Sequence, residues 1–156
     1  MSILDQQPAL IRTTDQPTAV VRERVPMANL REFFGRAFGA VMAAAQAQNT
    51  SPTGPPFAMY HGMPTDTVEV EAGFPVSPDF SAAGEVISGL LPASDAIEAV
   101  HKGPYDTLER TYSLILERMS AEGMTPSQTM WEFYLSDPVQ EPDPAKWQTR
   151  VVWPII

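Results

Sequence analysis

Residues 131–138 read WEFYLSDP and residues 57–64 read FAMYHGMP; laid over each other they match an aromatic at the first position, Tyr60 with Tyr134, and the closing proline. Working outward, Pro26 falls on Pro104 and Leu30 on Leu108, and Phe74-Pro75-Val76 falls on Trp153-Pro154-Ile155. The shared order reads as strand, helix, strand, strand, twice: repeat one over about 18–76 and repeat two over about 95–155. Neither half carries enough apolar surface to stand alone, so both are expected to share one core. The expected fold is α+β: duplicated strand–helix–strand–strand units forming one antiparallel sheet, two helices on one face and the other face left free. Residues 1–156 are expected to be a single domain.

The periods between the sixteen prolines support that order. Residues 18–24 (TAVVRER) form a β-branched run, with a shorter strand at 9–14. Leu30, Phe33, Phe34, Ala37, Phe38, Val41, Met42 and Ala45 make the apolar stripe of a helix over about 27–48. Residues 57–62 follow as a short strand, and 67–76 (TVEVEAGFPV) alternate as a half-buried one. Strands are read at 85–91 and 95–102. A second helix follows Gly103-Pro104-Tyr105, with Asp106 and Glu109 at capping-box spacing, Leu108, Tyr112, Ile115, Leu116 and Met119 on one face, and Gly123 as its stop. The last strands are 129–136 and 148–155.

Composition narrows the function. Of 156 residues 44% are hydrophobic and 9% aromatic, so a packed core is expected. Nineteen acidic against ten basic residues give a formal charge of −9, which removes the basis for gripping a phosphate backbone; no direct nucleic-acid partner is expected. The lack of cysteine excludes disulfides, thiol nucleophiles and zinc ribbons. His61 and His101 lack zinc-site spacing and read as surface or strand-end residues, so no metal and no cofactor are expected. No apolar run reaches a membrane span and residues 1–7 do not read as a signal peptide, so no membrane partner and a cytoplasmic location are expected.

Alternation along 129–136 puts Trp131, Phe133 and Leu135 on one side, expected under the helices, and Met130, Glu132 and Tyr134 on the other, expected on the open face. A glutamate among aromatic residues reads either as an edge-strand charge that discourages aggregation or as a carboxylate at the floor of an aromatic cleft. The second reading suits a cationic or electron-poor ligand. Tyr60, by the repeat, and Trp153 complete the candidate ligand-binding set with Glu132 and Tyr134. Glu69 and Glu71 read as a solvated strand face. In a catalytic alternative, Glu132 is the general acid/base and Tyr134 its helper.

Four segments in order, 68–76 (VEVEAGFPV), 101–112 (HKGPYDTLERTY), 131–138 and 151–155 (VVWPI), together resemble the GyrI-like small-molecule-binding domains, a fold shared with the effector-binding modules of AraC-type and MerR-type multidrug regulators. The resemblance implies a ligand cleft along a pseudo-twofold axis and a glutamate on the penultimate strand that contacts cationic, lipophilic drugs; the matching residue is Glu132. No helix-turn-helix is read before Ala9, so the expectation is a stand-alone protein that sequesters or senses a lipophilic, cationic or polarised small molecule. The resemblance also implies two alternatives: a hydrolase of strained, cyclopropane-bearing natural products using the same cleft, or an interaction module acting on a topoisomerase or regulator. A protein partner or a homodimer remains compatible with each.

Overall fold

A computed structural model describes residues 7–137 and 139–156. Most of the chain's start at 1–7, and Pro138 of the WEFYLSDP segment, lie outside the described residues. In chain order the elements are β1 (Ala9–Arg12), β2 (Gln16–Pro26), α1 (Leu30–Ala47), β3 (Phe57–His61), β4 (Thr67–Pro75), β5 (Ile87–Leu91), β6 (Asp95–Lys102), α2 (Leu108–Ala121), β7 (Thr129–Tyr134) and β8 (Gln148–Pro154). The fold is α+β, an eight-stranded antiparallel sheet with two helices. Strand β7 stops at Tyr134, two residues short of the expectation, and a 3-10 turn at Pro144–Lys146 lies between it and β8.

The chain divides into two compact units, Thr14–Ala93 and Ser94–Ile156 with the N-terminal strand. In the first, the strand order is β3-β4-β2-β5 with α1 against β2 and β4. In the second it is β7-β8-β6-β1 with α2 against β6 and β8. Thus β2, α1, β3 and β4 correspond to β6, α2, β7 and β8, and each unit adds one outer strand. Strand β1 precedes the first repeat in sequence yet pairs with β6 of the second.

Each helix buries one stripe, Phe33, Ala37, Val41 and Ala45 on α1 and Leu108, Thr111, Ile115 and Met119 on α2. Fully burying each large apolar side chain stabilises by about 1.5–3 kcal/mol. Both helices start through a 3-10 turn after a proline, Pro26 and Pro104. That turn moves the start of α2 to Leu108, so the expected Asp106–Glu109 capping box does not form. The Thr107 hydroxyl donates instead to the Pro104 carbonyl at 2.9 Å. Both helices stop on a left-handed residue, Asn49 (φ 56°) and Gly123 (φ 71°). After α2, Met124 N–H reaches the Met119 carbonyl at 2.8 Å; after α1, Thr50 N–H reaches Ala45 at 3.0 Å, the pairing that closes the last carbonyls of a helix.

The face of the first unit's sheet turned from α1 carries a polar cluster where a solvated strand was expected. Glu71 is 7% exposed, meets His61 Nε2 at 2.5 Å and lies 3.6 Å from Arg22. Glu69 accepts from Arg22 Nε at 2.8 Å. Basic residues on the neighbouring strands let these carboxylates pair, which alternation within one strand does not reveal.

Candidate functional site

Glu132 sits in the middle of β7 and is 2% exposed. A buried carboxylate is tolerated only when its oxygens are satisfied. Here the Tyr112 hydroxyl donates to Oε2 at 2.5 Å and the Tyr134 hydroxyl donates to Oε1 at 2.7 Å. Those lengths are typical of O–H···O⁻ bonds, and each oxygen is held by a different element. Tyr134 shares the strand with Glu132 two residues on, hence the same face; Tyr112 comes from α2.

The donor on α2 fixes which face this is. Register pairs Glu132 with Val151 and Tyr134 with Thr149, and Thr149 in turn with His101, whose Nδ1 lies 2.8 Å from Thr111 Oγ1 on α2. Glu132 and Tyr134 therefore face the helix, and Trp131 and Phe133 face away from it, the reverse of the expected packing; the candidate ligand face is the helix-bearing one, not the opposite one. Alternation sorts residues into two sets, and only the helix decides which set it covers. Leu135 lies beyond the strand and is exposed. Arg150, paired with Glu98, stacks over Phe133 at 5.3 Å on the far face.

Aromatic rings surround the carboxylate. Trp153, on the Thr149–Val151 side of β8, meets the Tyr112 ring edge-on at 6.3 Å and donates its Nε1–H to the Ser127 carbonyl at 2.9 Å. Tyr105, in the 3-10 turn before α2, meets Tyr134 edge-on at 5.7 Å and lies at 4.9 Å from Trp147. Burial raises the Tyr105 phenol above its ordinary value, with the charges of Glu132 and Asp137 adding to the shift. Trp153, Tyr112, Tyr134 and Trp147 are half-buried, so rings rather than the carboxylate meet solvent.

The structure thus brings Glu132, Tyr134 and Trp153 together. Tyr60 lies in the other unit, half-buried on β3 opposite Val70, as Tyr134 lies opposite Thr149. The position equivalent to Glu132 is Ala58, paired with Ala72, so the carboxylate belongs to one repeat only. Tyr105, Tyr112 and Trp147 were not among the candidates. Parity carried a signal for Trp147, which alternates in phase with Thr149, Val151 and Trp153, and Tyr112 carried a polar tip on an otherwise apolar stripe. His101, expected at a surface or strand end, is next to last in β6 but only 4% exposed. Among the described residues no group of three or more His, Asp or Glu is placed to hold a metal ion, and no helix is long and apolar enough to cross a membrane.

No curated protein sequence matches the chain. Among solved structures, the EcmrR C-terminal domain is similar over 97% of this chain and 98% of its own, with 22% identity and a TM-score of 0.80. SAV2435 bound to tetraphenylphosphonium is similar over 96% of this chain and 93% of its own, at 10% identity and a TM-score of 0.68. A hydrolase encoded by lin2189 from Listeria innocua is similar over 97% and 93%, at 14% identity and a TM-score of 0.66. At such identities these likenesses speak to the fold. The family described as GyrI-like small molecule binding domain matches residues 6–156, and the chain belongs to that family.

Proposed function

We propose that this small-molecule-binding domain takes a lipophilic cation at Glu132 and serves as a sequestering or sensing module. One observation carries the reading: a carboxylate 2% exposed, clamped by two phenols and ringed by half-buried aromatic side chains. A bound cation would gain from a poorly screened counter-charge and from ring faces, which attract cations more strongly once water is excluded. In this reading Glu132 is the counter-charge, and Tyr134, Tyr112, Trp153 and Tyr105 supply the rings. The tetraphenylphosphonium held by SAV2435, of the same fold, supports the choice of probe. The catalytic alternative uses the same groups, because a carboxylate hydrogen-bonded to a phenol can relay a proton to or from an electrophile.

The test is titration with tetraphenylphosphonium and with neutral triphenylphosphine oxide, followed by mass analysis of a panel that includes strained electrophiles. Saturable binding that favours the cation, with the ligand recovered unchanged, is the expected result. A gain of one water in a recovered electrophile would move the reading to hydrolysis. Failure of every ligand to bind would overturn it in favour of a protein-docking role.

A further inference from the structure

His101 lies four residues before Tyr105, and its ring is tied to the segment that carries Tyr105. A carbonyl only accepts, so the hydrogen on Nε2 points to the Pro104 carbonyl at 3.1 Å and to Thr107 Oγ1 at 3.0 Å. In the neutral ring Nδ1 then accepts from the Thr111 hydroxyl at 2.8 Å. Pro104 and Thr107 bracket the 3-10 turn Tyr105–Thr107, and Thr111 is one turn into α2. A single buried side chain on β6 thus grips the turn on both sides of Tyr105 and the helix that follows. From the other direction, Gly103 N–H donates to the Trp147 carbonyl at 2.8 Å, so the backbone beside the Trp147 ring is tied to the same turn.

The geometry points to His101 as a positioning residue of the ligand site, holding the turn so that the Tyr105 ring stands between Tyr134 and Trp147. This deepens the proposed binding role and rests on it. A short 3-10 turn has poor hydrogen-bond geometry of its own and no side-chain cap at its start. Its single exposed-side aromatic is therefore placed by what anchors the turn from below. With the anchor removed, Tyr105 loses its fixed approach to Tyr134, while Glu132 keeps both of its phenols.

His101→Leu, His101→Gln and Thr107→Val separate positioning from mere packing. The ligand-free readout is phenol absorbance during alkaline titration, with the Tyr105→Phe difference assigning the step that belongs to Tyr105. In the native chain that step lies above the ordinary tyrosine value of about 10. His101→Leu is expected to bring it down towards that value and to weaken tetraphenylphosphonium binding roughly three- to tenfold, the share of one aromatic wall. His101→Gln, whose amide can still donate to Pro104, is expected to restore much of both. Thr107→Val removes one acceptor and gives a smaller shift, and it decides the matter if His101→Leu does not fold. A Tyr105 step and an affinity unmoved in the folded variants would overturn the inference. If the native chain fails to bind the cation at all, the binding reading fails, and the Tyr105 titration still reports whether His101 places the ring.

Discussion

Replacing Glu132 by glutamine keeps the shape of the side chain and removes its charge, and the surroundings allow the consequence to be worked out for stability and for binding separately. In the native chain Tyr112 and Tyr134 each donate to one carboxylate oxygen, at 2.5 and 2.7 Å. The glutamine oxygen still accepts from one phenol, while its NH2 only donates, so the other phenol must turn to accept from it. Hydrogen bonds to a charged group contribute about 1.5–3 kcal/mol and neutral ones about 0.5–1.5, so the exchange of two removes roughly 2–3 kcal/mol. Against that, a charge 2% exposed no longer has to be kept out of water, which returns several kcal/mol. Stability in Glu132→Gln should therefore hold or rise. Binding should behave differently: a desolvated ion pair lost from one side costs about 2–5 kcal/mol, or roughly thirtyfold to several thousandfold in Kd. A neutral ligand of similar shape should lose less than about threefold. Tetraphenylphosphonium and triphenylphosphine oxide titrated by calorimetry, with urea unfolding alongside, provide all the numbers. Equal losses for the two ligands, or none for the cation, would show that Glu132 is an ordinary strand residue. Glu132→Ala, which imports the Ala58 of the first repeat, should instead destabilise, because two phenols lose their acceptor and a void remains.

Other outcomes follow from the backbone and the surface. Gly39→Ala, on α1 with nothing within 4 Å of the added Cβ, should stabilise by about 0.5–1 kcal/mol, whereas Gly73→Ala, whose Cβ would lie 1.9 Å from the Ala19 carbonyl oxygen, should abolish native thermal unfolding. Gly123→Ala forces a Cβ into the left-handed cap of α2 and should cost about 1–2 kcal/mol in chemical denaturation. The hydrogen bond from Arg22, and then its charge, hold the Glu69 carboxyl below its ordinary value. A carboxylate lowered on folding stabilises above its ordinary value and loses that contribution as pH falls through the folded one. Arg22→Leu should accordingly flatten the acid side of the stability profile, a small effect at this exposed pair that high salt should mimic.

The repeat, both helices and all eight strands were legible because each rests on a period or a breaker within a short window: the apolar stripe from Leu30 to Ala45, the alternation from Val68 to Phe74, a left-handed stop at Gly123. The ends were less so. The capping-box spacing at Asp106 and Glu109 misled because the 3-10 turn after Pro104 moved the helix start, and β7 ended at Tyr134 rather than at Ser136. Glu132 was legible as an odd carboxylate among aromatics, and Tyr134 as its neighbour on the same face. Tyr112 was not, since its spacing equally described a core position and its partner is twenty residues away.

By itself the sequence determined which residues share a strand face, where each helix turns its stripe, and that the second half carries a glutamate where the first carries Ala58. These are local properties, set by a two-residue pleat, a 3.6-residue turn and the order of residues along the chain. Only the tertiary structure decided that α2 covers the Glu132 face rather than the Trp131 face, that the Tyr112 hydroxyl closes on the carboxylate, and that His101 and Glu71 are buried and paired. Each of those outcomes depends on groups brought together from distant positions, and the cost of burying an unsatisfied charge or ring nitrogen is settled only when its partner is in place.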